Sequence, residues 1–171
     1  MSDILLTTRK FVVHRRTYST PGRAAVTREI VVHPGAVVVL PVLTDTDIVM
    51  IRNYRYAIER ELIELPAGTL EPGEDPAACA ARELEEETGY RAGRIEPLGE
   101  FYTTPGITDE LMRCFVAHDL RKTSQRLDTG ERIRPEVVPF EQAIDWIRQG
   151  TIVDGKTIAV LLRYHLDRRP R

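Results

Sequence analysis

Glu83, Glu86 and Glu87, three glutamates close together on one predicted helix, are the residues of this chain best placed to do chemistry. Helical residues three and four apart are neighbours, so these carboxylates crowd one face and repel one another. A cation among them relieves that repulsion. Hard divalent ions choose oxygen ligands, and Mg²⁺ is typically held by one or two carboxylates together with substrate phosphates. An acidic run alone reads as a solvated face. Here Arg82 stands beside the run and Glu74 precedes it, and an arginine next to acids orients one of them by a bidentate pair. The approach Leu65-Pro66-Ala67-Gly68 can bring backbone carbonyls to the same place. The conjunction points to a divalent-cation site.

The helix carrying these acids has a defined start and stop. Asp75 is a good N-cap and Pro76 occupies the first helical position, where proline is tolerated. Gly89 follows the last helical residue, where a left-handed cap is wanted. The helical spacing predicts an inward side of Ala77, Ala80, Ala81, Leu84 and Thr88, with Cys79 on the acidic side as a small neutral filler.

From Gly68 to Tyr90 the residues resemble the signature of the Nudix hydrolases: a Gly, five residues, a Glu, seven residues, then Arg-Glu-apolar-x-Glu-Glu-x-Gly-apolar. Gly68, Glu74, Arg82, Glu83, Leu84, Glu86, Glu87 and Gly89 fall in place, and Tyr90 stands where an aliphatic residue is usual. The resemblance implies an α/β fold, an α/β/α sandwich around a mixed sheet. It also implies cleavage of nucleoside diphosphates linked to another moiety, with divalent metal, Mg²⁺ foremost and Mn²⁺ or another divalent cation able to substitute. Glu83 and Glu87 would be the main metal ligands, Glu86 would share or bridge, and the Ala67 carbonyl would be a further ligand. Arg82 would belong to the catalytic machinery.

Further segments resemble the ADP-ribose pyrophosphatase branch of that family. Thr104-Pro105-Gly106-Ile107-Thr108-Asp109-Glu110 is similar to its S-P-G-x-x-x-E loop, with Thr104 for the usual Ser, and Pro105 lies sixteen residues beyond Gly89. Pro105, Gly106 and Glu110 would then contact substrate, Glu110 facing the terminal ribose or phosphate. Arg52-Asn53-Tyr54-Arg55 is similar to R-Q-Y-R, and Arg55 would clamp an anion bidentately. Glu64-Leu65-Pro66-Ala67-Gly68 matches E-L-P-A-G, so Glu64 would bond ribose hydroxyls or structure a dimer contact. The N-terminal segment resembles an extra β subdomain exchanged between subunits, from which Arg28 would stack on the adenine of the partner's substrate. In the branch, a loop glutamate closes over the substrate as base. Here the loop Leu127–Arg132 offers Glu131, with Glu136 as the second candidate and Glu86 as a third.

The rest of the chain must position these groups. Its 171 residues suit one compact domain with a small appendage. A formal net charge of −2 gives no general reason to bind nucleic acid or membrane. Cys79 and Cys114 make no disulfide framework, and no Cys/His spacing fits zinc. With no signal-peptide core and no transmembrane run, a cytoplasmic enzyme is expected. Residues 1–34 read as an N-terminal β-hairpin subdomain, with strands over Phe11–Tyr18 and Ala24–His33, and 35–171 as the hydrolase domain. In the latter, strands are predicted over Gly35–Leu43, Ile48–Tyr54, Glu61–Leu65, Ile95–Tyr102 and Leu111–His118, with a short last one at Val137 and Val138. Arg121–Arg134 reads as a polar, mobile loop. Phe140–Gln149 and Asp154–Leu166 read as amphipathic helices, and the basic end Arg168–Arg171 as a frayed tail. His14, His33, His118 and His165 read as structural.

Gly150–Thr157 fits the P-loop pattern G-x-x-x-x-G-K-[ST]. A P-loop needs a strand before it and a parallel sheet still to come. A predicted helix precedes this one and only the final helix follows, so it reads as an inter-helix loop with Asp154 or Thr157 capping that helix.

The expected activity is Mg²⁺-dependent hydrolysis of ADP-ribose to AMP and ribose 5-phosphate by a homodimer. Two alternatives stand beside it: hydrolysis of another nucleoside diphosphate sugar, a GDP- or UDP-sugar, and a nucleotide-sensing module without catalysis. The intact Glu83, Glu86 and Glu87 set argues against the last.

Overall fold

The computed structural model describes residues 2–168; of the basic end, 169–171 lie outside the described residues. In chain order the strands before the acidic helix are β1 (Ser2–Thr7), β2 (Val12–Tyr18), β3 (Val26–Val32), β4 (Ala36–Pro41), β5 (Asp47–Arg55), β6 (Arg60–Glu64) and β7 (Ala67–Thr69). The helix α1 (Pro76–Thr88) follows, then β8 (Tyr90–Arg91), β9 (Arg94–Tyr102), β10 (Leu111–His118), β11 (Arg121–Lys122), β12 (Ile133–Pro139), α2 (Phe140–Arg148) and α3 (Gly155–Asp167).

β4 sits at the centre. Its side chains alternate between two apolar layers, and all six residues are buried. Val37 and Val39 pack with Phe115 and Ala117 of β10 beneath Cys79, Ala80 and Leu84 of α1. Ala36, Val38 and Leu40 face the other way, into a core built with Ile48, Met50, Ile63, Val138 and the inner faces of α2 and α3. The central sheet runs β7-β4-β10-β9 and is mixed, with β10 parallel to β4 and its other pairings antiparallel. A second antiparallel sheet, β12-β5-β6, lies in the second core layer. This is the expected α/β sandwich, with α1 on one side of the central sheet and α2 and α3 on the other.

Four local expectations change. The N-terminal unit is a three-stranded sheet, β1-β2-β3, rather than a hairpin. β1 escapes pattern reading because its aliphatic residues Ile4, Leu5 and Leu6 are contiguous and exposed. Its turn also contains no Gly or Pro; Thr8 closes it, its Oγ1 accepting from Phe11 N–H at 2.9 Å and donating to Phe11 O at 2.7 Å. β12 covers seven residues instead of two. It is an edge strand, where Pro135 is tolerated. Residues Ala67–Thr69 form a strand, β7, paired with β4. Finally, the inward face of α1 is Cys79, Ala80, Leu84, Glu87 and Thr88, whereas Ala77 and Ala81 are exposed. The helix is turned so that Cys79, not Ala81, meets the sheet, and this draws Glu87 into the interior.

Candidate active site

The segment joining β6 to β7 and the face of α1 build the site together. Gly68 lies so close to α1 that a Cβ there would fall 1.9 Å from the Glu83 carboxyl carbon. Ala67 N–H donates to Glu87 Oε2 at 2.9 Å. Asp75 caps α1 by accepting from Ala77 N–H and Ala78 N–H, and Gly89 ends it in the left-handed region at φ 68°.

Arg82 organises the acids. Its Nε and Nη2 fork the Glu74 carboxylate at 2.8 and 3.0 Å, and its Nη1 reaches Glu83 at 2.7 Å and Glu86 at 3.1 Å. The fork holds Glu74 far below the usual carboxylate range, at about 2. Glu87 behaves oppositely. It is 4% exposed, and burial pushes its pKa up to about 8 against the Ala67 N–H, with the Glu83 and Glu131 charges raising it further. Burial also raises Glu83, opposed by Arg82.

These residues open onto a cavity of about 970 Å³. Arg55, Ala67, Gly68, Arg82, Glu83, Glu86, Glu87, Glu110 and Glu131 all line it, so most of the expected site residues are brought together. Glu64 is placed differently. It is wholly buried and does not line the cavity. Arg55 Nε donates to its Oε1 at 2.7 Å, Arg55 Nη2 donates to its Oε2, and Lys156 Nζ reaches that same oxygen at 2.6 Å. Its carboxylate meets arginine and lysine rather than ribose.

Glu110 is fixed by Thr103 Oγ1, which donates to it at 2.6 Å. His33 Nδ1 lies 3.6 Å from the other Glu110 oxygen. That nitrogen already accepts from Gly35 N–H at 3.1 Å, so the pair with Glu110 is not a hydrogen bond in the neutral ring.

The loop between β11 and β12 carries Glu131 over the cavity. Tyr56 Oη donates to Gly130 O at 3.0 Å, Tyr54 N–H donates to Arg132 O at 3.1 Å, and the Arg132 guanidinium lies 5.4 Å from the Tyr54 ring centroid. Glu131 itself accepts from Asp128 N–H at 2.9 Å. Glu136, the second candidate base, does not line the cavity; its Oε2 accepts from Arg52 Nε at 2.9 Å.

A smaller cavity of about 490 Å³ lies between the N-terminal sheet and the turn after β9, lined by Arg16, Tyr18, Arg28, Ile30, Pro105 and Gly106 among others. Val31 joins the two elements, donating to Ile107 O at 2.9 Å and accepting from Asp109 N–H at 3.2 Å. Arg28 therefore shares this cavity with the Pro105-Gly106 turn of its own chain. The 103–110 segment borders both cavities, with Glu110 on the large one and Pro105 and Gly106 on the small one.

The oxygen donors fit a hard divalent cation: Glu83, Glu86, Glu87 and the Ala67 carbonyl, with no imidazole. Among the described residues no three acidic, thiol or imidazole groups converge at ligand distance. Glu83 and Glu86 are turned onto Arg82, and one Glu87 oxygen is taken by Ala67 N–H. Rotation of Glu83 and Glu86 off Arg82 would free them for a cation, with Arg82 still anchored on Glu74.

Lys156 is the residue of this cavity that sequence reasoning passed over. It sits in the P-loop-like string, which does join two helices, and Asp154 caps α3 by accepting from Thr157 N–H at 3.0 Å. The lysine's only signal in the sequence lies inside that chance match. Tyr56 and Arg126 also border the cavity and carried no sequence signal. No helix of the described residues is long and apolar enough to cross a membrane.

Comparison with known proteins shows the family. The family profile described as NUDIX domain matches residues 32–161. The chain is 42% identical to an ADP-ribose pyrophosphatase of Bacillus subtilis (strain 168), over 80% of this chain and 75% of the relative. It is 43% identical to a methanol dehydrogenase activator of Bacillus methanolicus, over 77% and 72%. It is 32% identical to a GDP-mannose pyrophosphatase of Escherichia coli O1:K1 / APEC, over 94% and 91%. A crystal structure described as an ADP compounds hydrolase superposes with a TM-score of 0.84 at 22% identity, covering 97% of this chain and 90% of that one.

Proposed function

The chain belongs to the Nudix family, and from that premise we propose that it hydrolyses the pyrophosphate bond of ADP-ribose to AMP and ribose 5-phosphate. It is a Nudix pyrophosphohydrolase. The observation that carries the reading is one cavity with the three α1 glutamates on one wall and Arg55 among its other lining residues. Carboxylates that gather cations, facing an arginine, suit a diphosphate bridge. The name of the Bacillus subtilis relative supports ADP-ribose as substrate.

We assign the metal to Glu83, Glu86, Glu87 and the Ala67 carbonyl, and Mg²⁺ to the metal. Bound there, divalent cations would neutralise the diphosphate and acidify the attacking water. The protein's own groups do the rest. Arg55, held by two of its nitrogens, offers Nη1 to a phosphate oxygen. Arg82 keeps Glu83 and Glu86 on the cavity side of α1. Glu131 removes a proton from the attacking water. Glu110 faces the sugar or its phosphate. Pro105 and Gly106 contact the substrate, and Arg28 stacks on the adenine of the partner's substrate.

Residues 1–34 form a subdomain in this reading, and the protein works as a cytoplasmic homodimer. Exposed Ile4, Leu5, Leu6, Tyr18 and Val26 on the N-terminal sheet support a second copy as cover, and both cysteines are free and buried. Exchange of the sheet would carry Arg28 to the partner's substrate. Light scattering of wild type and an Ile4→Glu, Leu6→Glu double variant tests this: a dimer that falls to monomers supports the assignment, and a wild-type monomer refutes it.

A second substrate reading follows from the Escherichia coli relative, named for GDP-mannose. Incubation with ADP-ribose, GDP-mannose and UDP-glucose in Mg²⁺ separates the two. AMP release from ADP-ribose at the highest kcat/KM is expected; faster release of GMP from GDP-mannose would replace the assignment.

A further inference from the structure

The start of α3 is tied to the site by consecutive contacts. Asp154 caps the helix through one oxygen and accepts from Lys156 Nζ at 2.8 Å through the other. Lys156 Nζ also donates to Glu64 Oε2 at 2.6 Å. Thr157 Oγ1 accepts from Leu65 N–H at 2.9 Å. Leu65 precedes Pro66 and Ala67, so the same turn of helix holds both the partner of Arg55 and the segment that reaches Glu87.

Glu64 is a carboxylate with no exposure at all. A buried charge is strongly destabilising unless the lone pairs it turns inward find partners. Here three donor contacts are made, two from Arg55 and one from Lys156. Arg55 and Lys156 balance Glu64 and Asp154, so this four-residue chain adds no net charge to the cavity wall. Its effect is geometric: the guanidinium is gripped by two nitrogens and its plane is fixed. Without Lys156, Glu64 and Asp154 share one cation, and Arg55 is free to turn towards both.

We infer that Lys156 is a positioning residue for the diphosphate clamp, acting through Glu64 to set the orientation in which Arg55 meets the phosphates. The inference rests on the proposed substrate reading and adds a residue to it. The competing role is a direct phosphate contact, since Lys156 also borders the cavity.

A double-mutant cycle distinguishes them. Lys156→Met is expected to raise KM for ADP-ribose about tenfold, with kcat changed by less than about threefold. In an Arg55→Lys background, which has already lost the fork, Lys156→Met is expected to change KM by less than about twofold. Additive effects would overturn the inference and make Lys156 a direct ligand; so would an unchanged KM in the single variant. Should Lys156→Met fail to fold, Lys156→Gln keeps a donor for Glu64 and is expected to shift KM in the same direction and to be equally silent in the Arg55→Lys background. Wild-type turnover guards the premise. If the wild type releases no AMP, the substrate reading fails, and the cycle is read from calorimetric binding of inorganic pyrophosphate with Mg²⁺, where the same non-additivity is required.

Discussion

Ala67 and Glu87 meet across the β6–β7 segment and α1, with the backbone N–H of one donating to the buried carboxylate of the other at 2.9 Å. The contact brings the residue whose carbonyl, one peptide further on, is a proposed metal ligand to a side chain that is another. It also makes Glu87 the titrating heart of the site, because one N–H does not offset the loss of water around a carboxylate.

The pH dependence follows from that burial. Glu87 has its folded pKa at about 8 against an ordinary 4.5. Between those values the folded protein holds a proton that the unfolded chain releases, so metal-free stability falls as pH rises through the window. Glu83 is raised too and works in the same direction. Glu74, held at about 2, contributes stability above pH 4.5 and loses it only below, outside this window. Melting temperatures in EDTA are expected to fall from pH 5 to pH 8, and Glu87→Gln to flatten the slope. Calorimetry at pH 7 in buffers of different ionisation enthalpy is expected to reveal proton release on Mg²⁺ binding. A pH-independent metal-free melt would contradict the environment assigned to Glu87.

Gly68→Ala separates fold from function. A Cβ would meet the flexible end of Glu83 rather than backbone, and Gly68 is not among the glycines with positive φ. The variant is expected to fold with stability within about 1 kcal/mol of wild type while its turnover falls about 100-fold, because a metal ligand is displaced by an ångström or more. Full activity in this variant would mean that Glu83 is not needed where it stands.

The Glu131 loop offers a graded test. Glu131→Gln is expected to lower kcat by about 100-fold or more with Mg²⁺ affinity unchanged. Tyr56→Phe removes only the hydroxyl that donates to Gly130 O; a hydrogen bond worth about 1 kcal/mol predicts a kcat about fivefold lower. Steady-state kinetics of both variants, with Glu136→Gln as control, decides between the loop bases. A larger loss from Glu136→Gln than from Glu131→Gln would reverse the assignment.

Much of this arrangement was legible because it is local. The spacing from Gly68 to Gly89 places acids, arginine and caps on one helix, and the Val-rich run of β4 declares a strand buried on both faces. What stayed hidden depends on distant segments. The rotation of α1 is decided by Cys79 packing on Val37 and Phe115, which no helical wheel contains. The burial of Glu64 depends on Lys156, 92 residues away. β1 was missed because a threonine side chain closes its turn in place of a residue that announces one.

The central claim is that the α1 glutamates hold a divalent cation for hydrolysis of a diphosphate bridge. Its most direct test is AMP release from ADP-ribose by wild type and Glu87→Gln, each with Mg²⁺ and with EDTA, after both are confirmed folded. Mg²⁺-dependent release by wild type and a loss of about 1,000-fold or more in the variant are expected. Undiminished release by Glu87→Gln, or by wild type in EDTA, would contradict the account.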